Sequence, residues 1–508
     1  MTQFGAALMG YAMLDKLTTS DRSSQQWIED LLVNRGSAPS PFERASRGER
    51  QRYAEAISIE SAVSTVFDYK LILKELLAAE RALRNVTEES PLFVDAGRAL
   101  GRNLWFQGRF HEAIDAFVDA EGARDLAAKA AGLPANVCVI LPRNCAQSIG
   151  LMGHMDGFIK RKILNNDRRP YFLFAPQEAV INDAFLGYWK NYITVITEPA
   201  QIAKLSLAEH VYSVNWNWIF PKGRNLVFVH EGMAATQRAW FAEKNGRPLL
   251  SLSEEHANAL AKARAKWGMN AGDRFVCLHV RSSGFYGDVD KAQRFRNTPI
   301  EDYYSTIRDL AEKGLWIIRM GDATMPRLDI SECNKSGRVI DYARSDDKSA
   351  ELDVALCASC ELFISSSSGL HTVAHAFGRP VCEINHSIYA GFPWHTHDTF
   401  IPQLYFSHKE QRVLGLQEVL GSSLVYCDHH FLLEAAGVSL IRNDPDDIVE
   451  TVREALSPSL YQEQNPAMSS RVKVAFKTFN ERYDRGISGN LGRYYATKYA
   501  AQLLTPIS

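Results

Sequence analysis

The sequence predicts an α/β protein in which two units of Rossmann-type parallel sheet follow an α-helical N-terminal extension. Three observations carry that expectation. From about residue 134 to residue 456, short apolar runs alternate with amphipathic stretches, the pattern of strand–helix units in a parallel sheet. The alternation is broken over residues 244–273, so it falls into two blocks. Before about residue 130 the apolar spacing is three-and-four, which is helical. A chain of 508 residues also exceeds one compact core. The expected division is 1–130 helical, 131–250 and 251–456 as the two sheet units, and 457–508 as a helical tail.

In the extension, Ile57 to Leu83 keeps apolar residues on one face, with Glu and Lys on the other. In 99–120, Leu100 and Leu104 precede the turn Gly108-Arg109-Phe110, and Ala113, Phe117 and Ala120 follow it. This segment resembles one tetratricopeptide repeat, a helical hairpin whose alanines admit a close partner. The first sheet unit has strand runs at 137–141, 170–174, 193–197 and 225–230, with helices through Leu164 and over 181–192. The linker is expected to hold one helix, with Ser253 as its N-cap and Glu254 and Glu255 at its positive end. Strands of the second unit fall at 275–280, 315–319, 338–340, 362–365 and 380–384. Helices lie between them at 299–313, 349–359 and 370–377, with a last one at 446–456.

Composition excludes several classes of function. The chain is 46% hydrophobic and 23% charged, as an ordinary soluble protein is. A net charge of −2 gives no case for nucleic acid or an anionic membrane as partner, but leaves room for a small anionic ligand. No apolar run approaches the roughly eighteen residues of a membrane span. Met1 to Leu14 lacks the basic start and cleavage site of a secretory signal. Eight irregularly spaced cysteines suggest reduced thiols and a cytoplasmic location, compatible with a peripheral place at the inner membrane.

Two constellations carry chemistry. In the run Phe275 to Asp288, a buried strand ends with His279 and Arg281 two residues apart, on one side of the strand. In open α/β sheets ligands sit beyond the carboxyl ends of strands, where an arginine can fork onto a phosphate or carboxylate. A structural ion pair is the competing reading of Arg281. The second constellation is Ser366, Ser367, Ser368 and Gly369, between a strand and the helix opening at Leu370. Orphan N–H groups and hydroxyls there offer anion donors, and an unliganded Ser/Gly helix cap is the alternative.

The order His279-Val280-Arg281, Arg319-Met320-Gly321-Asp322, Asp341-Tyr342-Ala343, Asp353, then Ser367-Ser368-Gly369 resembles the donor-binding half of fucosyltransferase-like glycosyltransferases. The chain is more similar still to a group of uncharacterised bacterial glycosyltransferases of GT-B architecture. The match spans roughly 130 to 450 and is densest over 275–385. The resemblance implies a transferase using a nucleotide-diphosphate sugar as substrate, with no cofactor and no metal, and a glycan or protein as acceptor. It implies that Arg281 grips the diphosphate, that Ser367, Ser368 and Gly369 contact the same phosphates, and that Asp353 fixes the nucleotide or a loop. Ser282-Ser283 stands where eukaryotic fucosyltransferases commonly have a second arginine or Gly-Asp, so the resemblance does not specify fucose. A nucleotide-sugar epimerase, and a helical-repeat adaptor with a non-catalytic transferase-like half, remain as alternatives. The N-terminal helices leave room for a protein partner.

Further residues are candidates with open roles. A general base for the acceptor is sought at His154 and Asp156, against their reading as a packed histidine and a surface acid; Glu178 and Asp183 are the next candidates. Arg319 and Asp322 flank a strand-end glycine, suiting ribose or base contacts or a plain turn. Asp288, Arg296 and Asn297 could order a flap or cap the next helix, and Asn385 and His386 end the last strand. Trp216, Trp218, Trp394 and Tyr389 suit sugar stacking or core packing. Cys357 and Cys360 lie in an apolar helix without a second pair, which favours packing. His371 and His375 stand four apart without an evident third metal ligand, and His395-x-His397-Asp398 sits in a loop equally suited to acceptor recognition.

Overall fold

The computed structural model describes residues 44–505, apart from 64–68, 87–89, 91, 131, 135, 215–219, 223–224, 228, 285–286, 334–335, 388–392, 460, 464 and 484. Trp216, Trp218, Tyr389 and the first fourteen residues therefore lie outside the described residues, as does the side chain of Asp288. The α/β class, the parallel sheets and the helical N-terminal region are all present. The chain divides into two compact units, one of Met1–Ser58, Ala78–Leu104 and His111–Val229, the other of Ile59–Leu77, Trp105–Phe110 and His230–Ser508.

The N-terminal helices are α1 (Arg47–Val63), α2 (Tyr69–Arg84), α3 (Phe93–Phe106), α4 (Phe110–Gly122) and α5 (Arg124–Ala130). Between α3 and α4 the chain turns at Gly108, whose φ of +74° is accessible to glycine at little cost. A Cβ at Gly97 would lie 2.8 Å from the Ala120 Cβ, and one at Gly101 would lie 2.6 Å from the Phe117 ring. Small residues thus set the spacing of this hairpin, as the alanine pattern anticipates. Gly101→Val is expected to cost about 1–3 kcal/mol through overpacking, read as a lowered Cm at unchanged m. Gly122→Ala, which meets nothing within 4 Å, serves as the control.

The helical segment is joined to the first sheet unit by partly buried charge. Arg98 donates to the Ser213 carbonyl at 2.8 Å and pairs with Glu121, and Arg124 donates to the Val211 carbonyl at 3.1 Å. Burial would raise the Glu121 pKa, but Arg98 and Arg124 together hold it below the usual value. The first sheet is β1 (Val139–Leu141), β2 (Tyr171–Phe174) and β3 (Thr194–Ile196), paired in that order and all parallel. Ile140, Phe172, Phe174, Ile196 and Ala208 share its core. Strands covered on both faces read as continuous apolar runs, which is why VCVIL and YFLF were visible in the sequence.

The fourth strand expected at 225–230 is different. Asn225–Val227 forms an antiparallel hairpin with Phe220–Lys222, and a helix begins at Val229 and runs to Lys244. A short apolar run fits strand or helix equally well, and here its second half turns helical.

The second unit is built on a seven-stranded sheet. Its strands are β4 (Phe275–Val280), β5 (Trp316–Arg319), β6 (Val339–Ile340), β7 (Phe363–Ser366), β8 (Val381–His386), β9 (Thr399–Pro402) and β10 (Asn490–Leu491). The spatial order is β10-β9-β8-β7-β4-β5-β6, and every pairing is parallel. From β4 the chain winds outward through β5 and β6, then returns to β7 and winds the other way. The gap between β4 and β7 is therefore a topological switch point, where open α/β sheets bind ligands beyond the carboxyl edge. The tail expected to be helical also contributes β10, a two-residue edge strand too short to show a period. A separate antiparallel sheet of Leu404–Ser407, Arg412–Val413 and Val438–Ile441 was not anticipated.

Candidate functional site

β4 and β7 run side by side with Val280 opposite Ser366 and His279 opposite Ser365. Arg281 leaves the end of β4, and its backbone N–H donates to the Ser366 Oγ at 2.8 Å. The arginine and the serine-rich bend thus converge at the switch point. The Arg281 carbonyl accepts from the Thr298 N–H at 3.1 Å, so both main-chain groups of the residue are fixed and the side chain is aimed by a rigid backbone.

The bend is strained and held from below. Ser367 has φ +40° and Asn385, at the neighbouring strand end, φ +53°. Left-handed backbone at non-glycine residues costs of order 1–3 kcal/mol each and gathers at functional sites. The Ser367 hydroxyl donates to the Asn385 carbonyl and meets the Ser387 hydroxyl, both at 3.1 Å. Arg296 donates to the Ser367 carbonyl through Nε at 2.8 Å, so it anchors this bend rather than capping the following helix. Ser368 Oγ accepts from the Leu370 N–H at 3.3 Å. The helix behind the bend, α6 (His371–Ala376), has only six residues, shorter than expected, and its dipole is correspondingly a minor contributor.

The electrostatics of this edge are cationic. His279 is pushed down to about 3, first by burial and then by the positive charges of Arg281, Arg319 and Lys348, against Asp322. It is therefore a neutral imidazole at any ordinary pH. Lys348, which adds to that positive field, was not singled out in the sequence; a lysine directly before the N-cap Ser349 gives no pattern of its own. For pH dependence the sign follows directly. The unfolded chain holds the His279 proton below about 6.5 and the folded chain does not until about 3, so stability falls with falling pH across that window. His279→Gln is expected to flatten this acid limb in a plot of Tm against pH.

Other candidates have partners that fix different roles. Arg319, 1% exposed, pairs with Asp341 at 2.9 Å and donates to the Pro326 carbonyl at 2.9 Å. Asp322 accepts from the Thr324 N–H at 2.8 Å, closing the turn. Both therefore have partners within the turn. Asp353 pairs with Lys348 at 2.7 Å, and burial raises its pKa despite that partner. Asn385 exchanges bonds of 2.7 Å with the backbone and amide of Asn443, a buried clasp that leaves its side chain turned inward rather than toward a ligand. Glu383, 1% exposed and 3.6 Å from His371, is a second missed residue; burial raises its pKa well above the ordinary range. Its signal was available, a lone charge inside the apolar strand VCEIN.

In the first unit, His154 and Asp156 follow β1 but are 5% and 3% exposed, at the junction of the helix Ile149–Gly153 with Met155–Leu164. Asp156 is paired at 2.7 Å with Lys160, itself 2% exposed. The burial of Asp156 and its pairing with Lys160 suit a stabilising role. Glu178, beyond the carboxyl end of β2, is exposed, and Asp183 accepts from Gln177 Nε2 at 2.9 Å and 3.0 Å. All eight cysteines are buried and free, and burial pushes the Cys357 thiol far up, so it is inert as the packing reading requires. Among the described residues no helix is long and apolar enough to cross a membrane.

No protein-family model matches the sequence, and no curated protein does. Among solved structures the chain is similar to a glycosyl transferase family 9 protein from Veillonella parvula, with TM-score 0.40 and 9% identity over 63% of this chain and 97% of that one. It is similar to the ADP-heptose lipopolysaccharide heptosyltransferase II of E. coli, with TM-score 0.39 and 12% identity over 63% and 99%. A third is an iron-containing dodecameric glycosyltransferase of enterotoxigenic E. coli, with TM-score 0.30 and 16% identity over 54% and 63%.

Proposed function

We propose that this chain is a glycosyltransferase that moves a sugar from a nucleotide-diphosphate donor to an acceptor hydroxyl, and that its second unit holds the donor. The observation that carries this reading is the junction of Arg281 with the Ser366–Gly369 bend at the switch point of the seven-stranded sheet. The residue order that resembles glycosyltransferases lies on the same edge.

The chemistry fits what the edge offers. The bond from the anomeric carbon to the diphosphate oxygen breaks, and its electron pair leaves with the diphosphate. The acceptor oxygen forms the new bond from the opposite face, so the anomeric centre inverts, and the acceptor proton passes to a base. Negative charge grows on the leaving group as the bond lengthens. Fixed donors that gain strength with that charge stabilise the transition state more than the ground state. Arg281 supplies fixed positive charge, and the serine bend supplies N–H and O–H donors. Such an array supports metal-independent departure of the diphosphate. For the base, Glu178 is exposed to solvent, whereas Asp156 is buried and paired with Lys160.

A thermal-shift panel of nucleoside diphosphates and nucleotide sugars tests the reading. A bound diphosphate at a hundred times its Kd stabilises the fold by about 2.7 kcal/mol. Shifts with one nucleoside diphosphate, lost in Arg281→Ala, are expected; no shift with any of them would sink the assignment. Isomerisation of the donor without acceptor would point to an epimerase instead.

A further inference from the structure

We propose that His375, His395 and Asp398 form a site for one divalent transition-metal ion, zinc by preference, at the amino edge of the seven-stranded sheet. The three residues come from two places in the chain: His375 from α6, and His395 and Asp398 from the loop that leads into β9. Their nitrogen and carboxylate ligand atoms all lie within 4.8 Å of one another. His375 Nε2 is 2.9 Å from Asp398 Oδ2, and the two imidazoles stack at 4.2 Å between centroids. All three are buried, with Asp398 at 0% exposure.

The surroundings are those of a ligand set. Asp398 Oδ1 accepts from the Val381 N–H and Oδ2 from the His395 N–H, both at 3.1 Å. Backbone donors therefore orient the carboxylate, as second-sphere groups do around bound metals. Two imidazoles and a carboxylate are a borderline-soft set suited to zinc, with a fourth position left for water. Zinc ligand bonds of about 2.0–2.2 Å place ligand atoms roughly 3.5 Å apart, which small side-chain rotations reach from the observed spacing. The sequence had suggested His371 with His375, and His395 with His397 and Asp398. The fold takes one residue from the first group and two from the second, leaving His397 exposed.

The place of the site also gives its role. Val381 and Thr399 begin β8 and β9, whereas the serine bend lies at the carboxyl end of β7. A four-residue strand separates the two edges by roughly 13 Å. The ion therefore does not touch the donor chemistry. It ties α6 to the start of β9 and neutralises a buried carboxylate. The competing occupant of the same position is a proton shared between His375 and Asp398.

The test uses the full chain stripped with a chelator and titrated with Co2+, then displaced with Zn2+. One equivalent of Co2+ is expected, with the visible absorption of a tetrahedral ion, and Zn2+ should raise Tm. His375→Gln and His395→Gln should each weaken binding by at least about tenfold, while the exposed-surface control His408→Ala binds as wild type. Absence of stoichiometric binding by the wild-type chain overturns the proposal whatever the variants do. Wild-type affinity in both glutamine variants overturns it as well, by showing a surface histidine as the binder.

Discussion

Arg281→Ala is expected to lower turnover by about a hundred- to a thousandfold without disturbing the fold. Losing one preorganised donor to a developing anion costs roughly 3–4 kcal/mol. The main-chain bonds of residue 281, its N–H to Ser366 Oγ and its carbonyl from Thr298 N–H, remain in alanine and should preserve the strand end. The split between kcat and KM carries further information. A guanidinium that also grips the ground-state diphosphate would raise KM in the variant, whereas one engaged mainly as charge develops would lower kcat alone. Arg281→Lys should fall between, since an ammonium restores charge but not the two-pronged geometry. Steady-state rates with the donor found in the binding panel, and Cm of each variant, decide the matter. Near-normal turnover in a well-folded Arg281→Ala protein would remove this residue from the mechanism.

The carboxyl-edge site was legible because its parts are written as local patterns. A buried strand followed by His-x-Arg, and a strand followed by three serines and a glycine, each announce a strand end. What joined them was the adjacency of β4 and β7, a long-range pairing that no local period encodes. Lys348 and Glu383 were missed for different reasons. Lys348 enters through the turn before a helix and carries no periodic signal. Glu383 was a visible anomaly, a charge among Val381, Cys382 and Ile384, that had no partner until the fold brought His371 within 3.6 Å. Arg319 went the other way: its place at a strand end suggested a ligand, and the fold spends it on Asp341 and a carbonyl. The histidine cluster shows the same limit, since its members are grouped differently in sequence and in space. Sequence supplies the types of residue at each edge, and the pairing of strands decides which of them meet.

Lys160→Met is expected to destabilise the chain by about 3–5 kcal/mol. It leaves the Asp156 carboxylate, 3% exposed, without the ammonium 2.7 Å away. A buried charge deprived of its partner costs far more than the pair contributed, because desolvation is no longer offset. Replacing both residues, as Asp156→Leu with Lys160→Met, removes the two charges together and should recover most of the loss. The double variant then separates structure from catalysis. If Asp156 is only half of a buried pair, a folded double variant should turn over at close to the wild-type rate. If it is the general base, the same folded protein should lose about two to four orders of magnitude in kcat. The exposure of Glu178 favours the first outcome, and Glu178→Gln should then carry the loss. Urea midpoints for the three proteins and their turnover numbers give both answers, and a folded but inactive double variant would restore Asp156 as the base.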